Sequence, residues 1–440
     1  MSDQNSWTSA QKVVFRIVFI YFLLQALPLD WKFYQTLFSG ALLHPTYQDL
    51  FNLANYTTRF GSGPATFLDW GILLIIALAG AAIWKSRDRY SDAGYDKLYY
   101  WLKVVLRYRL ALALLTYGFL KLYGLQSPYP TISSLNTPYG YFDRWKLFSL
   151  SLGIVPSYEL FLGLVEIILA GLLLYRKTAS IAAFIFLIYM GNIFVSNVAY
   201  EGGEVVYSLL LISYGFVILS ADLQRIITLI ILQKPAKAAT FKPVYHNRYL
   251  RLALKGAFVL VFVLAYGIKT GAGAKYDPYQ YPTAKGLQGA KGLYNVSNFV
   301  RNGDTLAYSL TDSVRWRNVV FEEWNTISIL TNQPAPLYGN KEHIVNSDPR
   351  NRLYEIEGTN YRHYYSYTID SANNLLHLVN RYPGAQADSF TVTFTRPDTA
   401  TILLSGVVAN DSLNIVLTKT AKVYLLEEAR GKSRNRKIKL

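Results

Sequence analysis

The sequence predicts a membrane-embedded bundle of about seven helices followed by an all-β domain. Of the 440 residues, 52% are hydrophobic and only 16% are charged, whereas about 25% are charged in an average soluble domain. Mean hydropathy is nevertheless only +0.16, so a strongly apolar part must be combined with a polar one. The composition changes near Lys269, where long apolar runs end and short stretches rich in Val, Ile, Thr and Tyr begin.

Seven segments are apolar enough to cross a bilayer as helices, because a hydrocarbon core about 30 Å thick needs roughly 20 residues. They are residues 12–29, 66–84, 102–123, 157–175, 178–198, 203–221 and 250–268. The first is interpreted as an uncleaved helix, since no small-residue cleavage site follows it. The predicted organisation is a two-helix part with its loops (1–100), a four-helix core (101–225), a link with a seventh helix (226–269), and a linker with a β domain (270–440).

Basic residues predict the orientation, because short cytoplasmic loops are enriched in Lys and Arg. They cluster within residues 85–109, 176–177 and 225–251, whereas the loops at 30–65 and 124–156 are rich in aromatic residues and proline. This pattern predicts a cytoplasmic N-terminus and an external β domain. It also explains most of the net charge of +16, so we expect membrane lipid, and not nucleic acid, as the partner. Arg107 and Arg109 are expected to anchor the third span at cytoplasmic headgroups.

The region after residue 270 shows the pattern of successive antiparallel strands. A Gly, Pro and Tyr linker is predicted at 271–292, and strands are predicted within 351–380 and 399–428. Hairpin turns are expected near Gly358, at "SANN" and at "AND". Eight or so short strands must hide their edges, so the expected fold is a β-sandwich or a small barrel.

Polar residues inside the predicted spans are functional candidates, because ionisable groups are costly in a bilayer. Glu166 lies halfway along the fourth span, and Lys121 lies within one turn of the outer end of the third. We expect an outward-opening polar cavity with Glu166 and Asn192 near its floor and Lys121 as its positive rim. Glu166 and Lys121 are the catalytic candidates. The ligand-binding candidates are Tyr117, Lys121, Glu166, Asn192, Asn197, Glu204 and Tyr207.

Several kinds of site find no support in the sequence. There is no cysteine, which excludes thiol redox chemistry within this chain. The five histidines never occur in a paired ligand spacing, so a metal site is not predicted. No P-loop, GxGxxG, CxxCH or GxSxG motif occurs. Glycines at 118, 163 and 171 indicate close helix packing.

Spans three to six resemble the DoxX family of small four-helix membrane proteins. The resemblance is carried by "YRLALALLTYGFLKLYG", by "YELFLGLVEIILAGLLLYRKTAS" with its central glutamate, and by "GNIFVSNVAYEGGEVVYSLLLISYGFVILSADLQRI". The longer bacterial members, common in Bacteroidetes, are more similar still, and they add helices in front and an external domain behind. The positions that match the family motifs are Arg109, Gly118, Lys121, Glu166 and Glu204.

The resemblance implies a bacterial inner-membrane protein. Some family members resemble the membrane subunit of thiosulfate:quinone oxidoreductase, and others are linked to oxidative-stress complexes. A quinone-type ligand would suit a polar cavity among apolar helices. Because this chain lacks cysteine, any sulfur chemistry would need another mechanism or a partner.

Three functional readings remain open. The first is a quinone-linked or redox-associated subunit in which Glu166 and Lys121 polarise a ligand and relay protons. The second is a non-catalytic membrane scaffold whose external β domain recruits a protein partner. The third, which rests on architecture alone, is a membrane enzyme similar to the vitamin K-dependent carboxylase group.

Overall fold

The computed structural model divides the chain into two compact units. It describes residues 7–29, 31–38, 45–61, 63–88, 90–236, 247–339, 345, 348–383, 385 and 388–428. The helical unit comprises Met1–Gln126, Leu160–Tyr276 and Lys341–Val345. The barrel unit comprises Ser127–Glu159, Asp277–Asn340 and Asn346–Leu440. Most of the loop predicted between the third and fourth spans therefore belongs to the β part of the molecule; we call residues 127–159 the insert.

Helices occur at all seven predicted spans. In chain order the helices are α1 Ser9–Ala26, α2 Trp31–Phe38, α3 Tyr47–Ala54, α4 Phe67–Arg87, α5 Asp92–Leu122, α6 Ile132–Leu135, α7 Arg144–Gly153, α8 Pro156–Leu174, α9 Ala179–Ala199, α10 Val205–Ile226, α11 Arg248–Phe258, α12 Tyr266–Tyr276 and α13 Leu425–Glu428. A π-helical segment, Ile227–Ile231, continues α10, and another, Val259–Ala265, joins α11 to α12.

Five of the described helical runs are long and apolar enough to cross a membrane: α1, α4, α8, α9 and Tyr249–Tyr276. The bent pair Val205–Ser220 and Asp222–Ile231 would make six. The third predicted span is part of α5, which has 31 residues. It carries Lys103, Arg107, Arg109 and Lys121 and is not among the apolar runs.

The glycine-rich start of the predicted linker is helical, and that part of the prediction is wrong. Helix α12 continues to Tyr276 because its glycines are packing positions. A Cβ atom at Gly267 would lie 2.8 Å from the Phe119 ring, and one at Gly271 would lie 2.9 Å from the Tyr123 ring. A Cβ at Gly273 would lie 2.2 Å from the ring of Tyr47 in α3. Small residues let α12 approach α3 and α5 closely.

The β part is a closed antiparallel barrel. Its strands are β1 Gly292–Arg301, β2 Asp304–Thr305, β3 Asn318–Phe321, β4 Thr326–Leu330, β5 Arg362–Asp370, β6 Leu375–Asn380, β7 Ser389–Thr395, β8 Thr401–Val408 and β9 Asp411–Lys419. Apart from β2, which pairs only with β1, each strand pairs with its neighbour along the chain, and β9 returns to pair with β1. Of the two expected folds the structure has the barrel, which leaves no open edge.

Alternation along the strands fills the barrel with apolar side chains. Phe321 pairs with Ile327, and Val319 pairs with Ile329; all four belong to the buried core. The opposite face of these strands is also buried, but it carries polar residues such as Ser328 and Thr326. The outer face of β4 is therefore covered by other parts of the barrel unit.

Two predicted strands are not formed, while two predicted turns are confirmed. "SANN" connects β5 to β6, and Ala409 and Asn410 connect β8 to β9 with positive φ angles. Residues 352–359 instead form turns and isolated bridges, because buried Arg352 and Glu355 take part in ion pairs and not in a ladder. The described residues after β9 include no further strand and contain the short helix α13, since the pairing of β9 with β1 has already closed the barrel.

Candidate functional site

Two glycines bring α5 and α8 into close contact. A Cβ atom at Gly163 would lie 2.6 Å from the carbonyl oxygen of Gly118 and 2.7 Å from the backbone nitrogen of Leu122. A Cβ atom at Gly118 would lie 3.1 Å from the carbonyl oxygen of Gly163. The predicted close packing is confirmed for these two positions, whereas the space around Gly171 is open. The contact between the two backbones allows side chains of α5 and α8 to meet one turn further on.

Three helices converge on the carboxylate of Glu166. Lys121 Nζ from α5 lies 2.6 Å from Glu166 Oε1, and the two side chains are 11% and 2% exposed. The hydroxyl of Tyr189 from α9 donates to the same oxygen at 2.9 Å. The other oxygen, Oε2, is buried and has no hydrogen-bond partner among the described residues. The site thus contains a buried ion pair with one carboxylate oxygen free to accept a hydrogen bond.

Tyr117 connects this ion pair to a second polar cluster. Its ring centroid lies 5.4 Å from Lys121 Nζ and 6.1 Å from the centroid of the Tyr207 ring. The Tyr207 hydroxyl donates to Asn55 Oδ1 at 2.6 Å, and Asn55 Nδ2 donates to Thr116 Oγ1 at 3.0 Å. Four of the predicted residues, Lys121, Glu166, Tyr117 and Tyr207, therefore belong to one continuous group.

Arg109 has a different role from the expected headgroup anchor. Its guanidinium donates to the backbone carbonyls of Ala54 and Tyr56, so it caps the C-terminal end of α3, where carbonyl groups lack helical partners. The predicted outer loop at 30–65 thus contains a short buried helix that packs against α5 and α12.

Glu204 acts electrostatically on Tyr207, whereas Asn192 and Asn197 have hydrogen-bond partners within α9 and the α9–α10 turn. Asn197 Oδ1 accepts the backbone N–H of Glu204 at 3.3 Å, a contact within the α9–α10 turn. Asn192 is exposed and accepts a long hydrogen bond of 3.4 Å from Ser196 on its own helix. Its place at the floor of a cavity with Glu166 stays a prediction.

Sequence reasoning missed Tyr189, Asn55 and Thr116. A tyrosine or threonine in an apolar span was not distinguished from interfacial or packing residues. Asn55 follows α3, whose Thr46 and Asp49 form a capping box, and that pattern is a recognisable signal for a helix start.

The barrel unit has its own buried polar network between strands and insert. Ser133 donates through its backbone N–H and its hydroxyl to Glu322 Oε1, at 2.8 and 2.6 Å. Arg362 donates to Thr137 Oγ1 at 2.8 Å and to Ser328 Oγ at 3.0 Å. Burial, together with repulsion from Glu355, raises the pKa of Glu322. These contacts attach the insert to the outer face of the barrel.

Lys146 is a fully buried lysine of the insert. Its ammonium lies 3.7 Å from the centroid of the Tyr354 ring and donates to the Tyr354 carbonyl. Burial lowers the pKa of Lys146 from 10.5 to about 8, against the opposing attraction of nearby carboxylates. Lys146 therefore packs inside the barrel unit, and keeping its ammonium charged there at neutral pH costs free energy.

Similarity to known proteins gives no information about the function of this chain. No known family, no curated protein and no solved structure matches this chain.

Proposed function

We propose that this chain is a DoxX-like, multi-pass protein of a bacterial inner membrane that acts as a quinone-linked or redox-associated subunit of a membrane complex. The observation that supports this best is the Glu166 carboxylate, buried where three helices meet, with one oxygen engaged and the other free. Buried ionisable groups of this kind are typical of binding and proton-handling sites.

The residues present fit the polar end of a quinone-type ligand. The reduced, quinol form of such a ligand carries hydroxyl groups, and Glu166 Oε2 can accept a hydrogen bond from one of them, while Lys121 holds the carboxylate in place from the other side. A positioned carboxylate can also take up the proton that such a hydroxyl releases, as a general base. A bound quinone would supply two-electron redox chemistry, and as a subunit of a membrane complex the chain would exchange those electrons with a partner subunit.

Extraction and mass spectrometry test the ligand. The purified protein in nanodiscs is extracted with organic solvent, alongside Glu166→Ala, Glu166→Gln and the control Glu201→Gln. Glu201 is an exposed carboxylate in the α9–α10 turn. We expect stoichiometric quinone in the native protein and the control, and loss of quinone from Glu166→Ala. Equal quinone in all four proteins, or none in any, would count against the proposal.

Orientation can be tested cleanly because the chain has no native cysteine. We place the N-terminus in the cytoplasm and the barrel unit outside, on the distribution of basic residues. Single cysteines at exposed Ser86 and Ser389 should react differently with a membrane-impermeant maleimide in intact cells. Labelling of Ser389→Cys alone is expected, and labelling of Ser86→Cys alone would reverse the assignment.

The second candidate function is a non-catalytic membrane scaffold, and the burial of both side chains of the ion pair favours it. With Lys121 and Glu166 both buried, the pair can lock α5 to α8 without any ligand. Glu166→Gln separates the two candidates: a scaffold should assemble with its partners as the native protein does, whereas a proton-handling subunit should lose function.

A further inference from the structure

Arg109 carries a positive charge inside the helical unit and forms no ion pair with a carboxylate of the described residues. It lies within α5, about 20 Å from the end of the helix at Leu122. Its hydrogen bonds run to the carbonyls of Ala54 and Tyr56, and no carboxylate of the described residues pairs with it. The partial negative charge of a helix terminus offsets only part of a full charge. The side chain is half-buried.

Tyr214 supplies a second, independent observation. It is 1% exposed, and its hydroxyl has no hydrogen-bond partner among the described residues. A buried hydroxyl without a protein partner usually binds a water molecule, an ion or a ligand.

Helix register brings Tyr214 to the level of Arg109. Two contacts show that α5 and α10 are antiparallel: Tyr117 lies against Tyr207, and the Tyr99 hydroxyl lies 2.9 Å from Ser220 Oγ. Tyr214 is two turns from Tyr207, a rise of about 10 Å, and Arg109 is about 12 Å from Tyr117 in the same direction. Arg109 also acts electrostatically on both Tyr207 and Tyr214.

We infer that Arg109 and Tyr214 bind a small monovalent anion within the helical unit. The anion accepts a hydrogen bond from the Tyr214 hydroxyl and balances the charge of the guanidinium. Glu166 does not serve this purpose, because its partner Lys121 is about 18 Å along α5 from Arg109. The anion site is therefore separate from the ion pair, and it does not depend on the proposed redox function.

Thermal unfolding with halide as the probe tests the site. The full chain in nanodiscs of phosphatidylcholine, which adds no anionic lipid, is compared in sodium chloride, sodium bromide and sodium gluconate at equal ionic strength. We expect a higher melting temperature in chloride and bromide, rising with the logarithm of halide concentration. Tyr214→Phe should weaken the apparent halide affinity about tenfold, since it removes one hydrogen bond to a charged group.

The matched control for Tyr214→Phe is Tyr99→Phe, which tests whether the loss of any tyrosine hydroxyl near α10 changes the halide dependence. Tyr99→Phe removes a hydroxyl that contacts α10 at another level and should keep the native halide dependence. Bromide-soaked crystals should show anomalous density between Arg109 and Tyr214. Identical melting in halide and gluconate, or an unchanged response in Tyr214→Phe, would mean that water occupies the position and would overturn the inference.

Discussion

The pair of Lys121 and Glu166 is the central feature at the residue scale. A lysine near a helix end could extend to the headgroups, yet here its ammonium bonds directly to the buried carboxylate. Removing two charges from water is costly, and their attraction repays this cost only when both partners are present. Replacing either residue alone should therefore destabilise the protein more than replacing both together.

Double replacement should show this coupling. Lys121→Met alone is expected to lower the free energy of unfolding by about 3 kcal/mol, because it leaves a buried charge unpaired. Adding Glu166→Met should recover most of that loss. Unfolding by SDS or heat measures both, and Lys12→Met, in a partly exposed pair with Asp92, should change stability by less than about 1 kcal/mol. Additive losses in the double variant would show that the two side chains are not coupled.

Lys146 illustrates the cost of a buried charge in the barrel unit. Its pKa is lowered to about 8, so between pH 8 and 10.5 the unfolded chain binds a proton that the folded chain does not. Rising pH in this window therefore favours the folded state.

Comparison with Lys146→Met should reveal this dependence. The methionine variant lacks the cost at every pH, so the native protein should gain about 2 kcal/mol relative to it between pH 7 and 9.5. Chemical denaturation at both pH values measures the free energy of unfolding of the native protein and of Lys146→Met. Both proteins contain the same tyrosines, so the titration of these tyrosines cancels in the difference. Lys291→Met, at an exposed position paired with Glu323, should show no such change. A pH-independent difference for Lys146→Met would mean that Lys146 keeps its ordinary pKa.

At the scale of elements, glycines decide which helices touch. Gly118 and Gly163 let α5 meet α8, and the glycines of α12 let it meet α3 and α5. Small residues at such contacts let helix backbones approach closely. The ion pair between Lys121 and Glu166 therefore depends on Gly118 and Gly163, because a side chain at either position would push α5 and α8 apart.

Alanine at Gly163 should separate α5 from α8. The new Cβ would press on the backbone of Gly118 and Leu122, which cannot move as a flexible side chain can, so a loss of about 1–3 kcal/mol is expected. Gly171→Ala is the matched control on the same helix, where space is open. Melting temperatures measure both variants; equal melting would show that the two helices do not pack through Gly163.

For the whole molecule, the insert is the unexpected feature. Its ends lie in contact, since Glu159 Oε1 accepts the backbone N–H of Ser127 at 2.9 Å. Its buried polar residues, including Ser133, Thr137 and Lys146, find their partners in the barrel part of the chain. The barrel unit is therefore not a C-terminal domain that can be removed without consequence.

Deleting residues 275–440 should unfold the insert. Ser133, Thr137 and Lys146 would lose the groups that satisfy them, and unsatisfied buried polar groups are costly. Limited proteolysis should cut the truncated chain within 127–159, while the full chain resists there. Resistance of the insert in the truncated chain would show that it folds by itself. Point substitutions are thus better tests of a partner surface on the barrel than truncation.

The local features of this chain were predictable because they depend on neighbouring residues. Apolar runs specify where helices lie, alternation specifies strands, and "SANN" and "AND" specify hairpin turns. Glu166 and Lys121 were recognisable as members of one site because charge is rare in an apolar helix. The glycine-rich residues 271–276 were misread as linker because composition does not show which side chains face a glycine.

Sequence by itself thus determined the apolar helical part, the β part and the identity of the central carboxylate. Tertiary structure decided that the strands close into a barrel, that the insert belongs to it, that α3 is buried and capped by Arg109, and that Lys121 pairs with Glu166 45 positions away. The physical reason is the separation along the chain over which each effect acts. Hydrophobic periodicity depends on neighbouring residues and indicates which face of a helix or strand is buried. Contacts between residues far apart in the sequence depend on how side chains pack, which a local pattern does not specify.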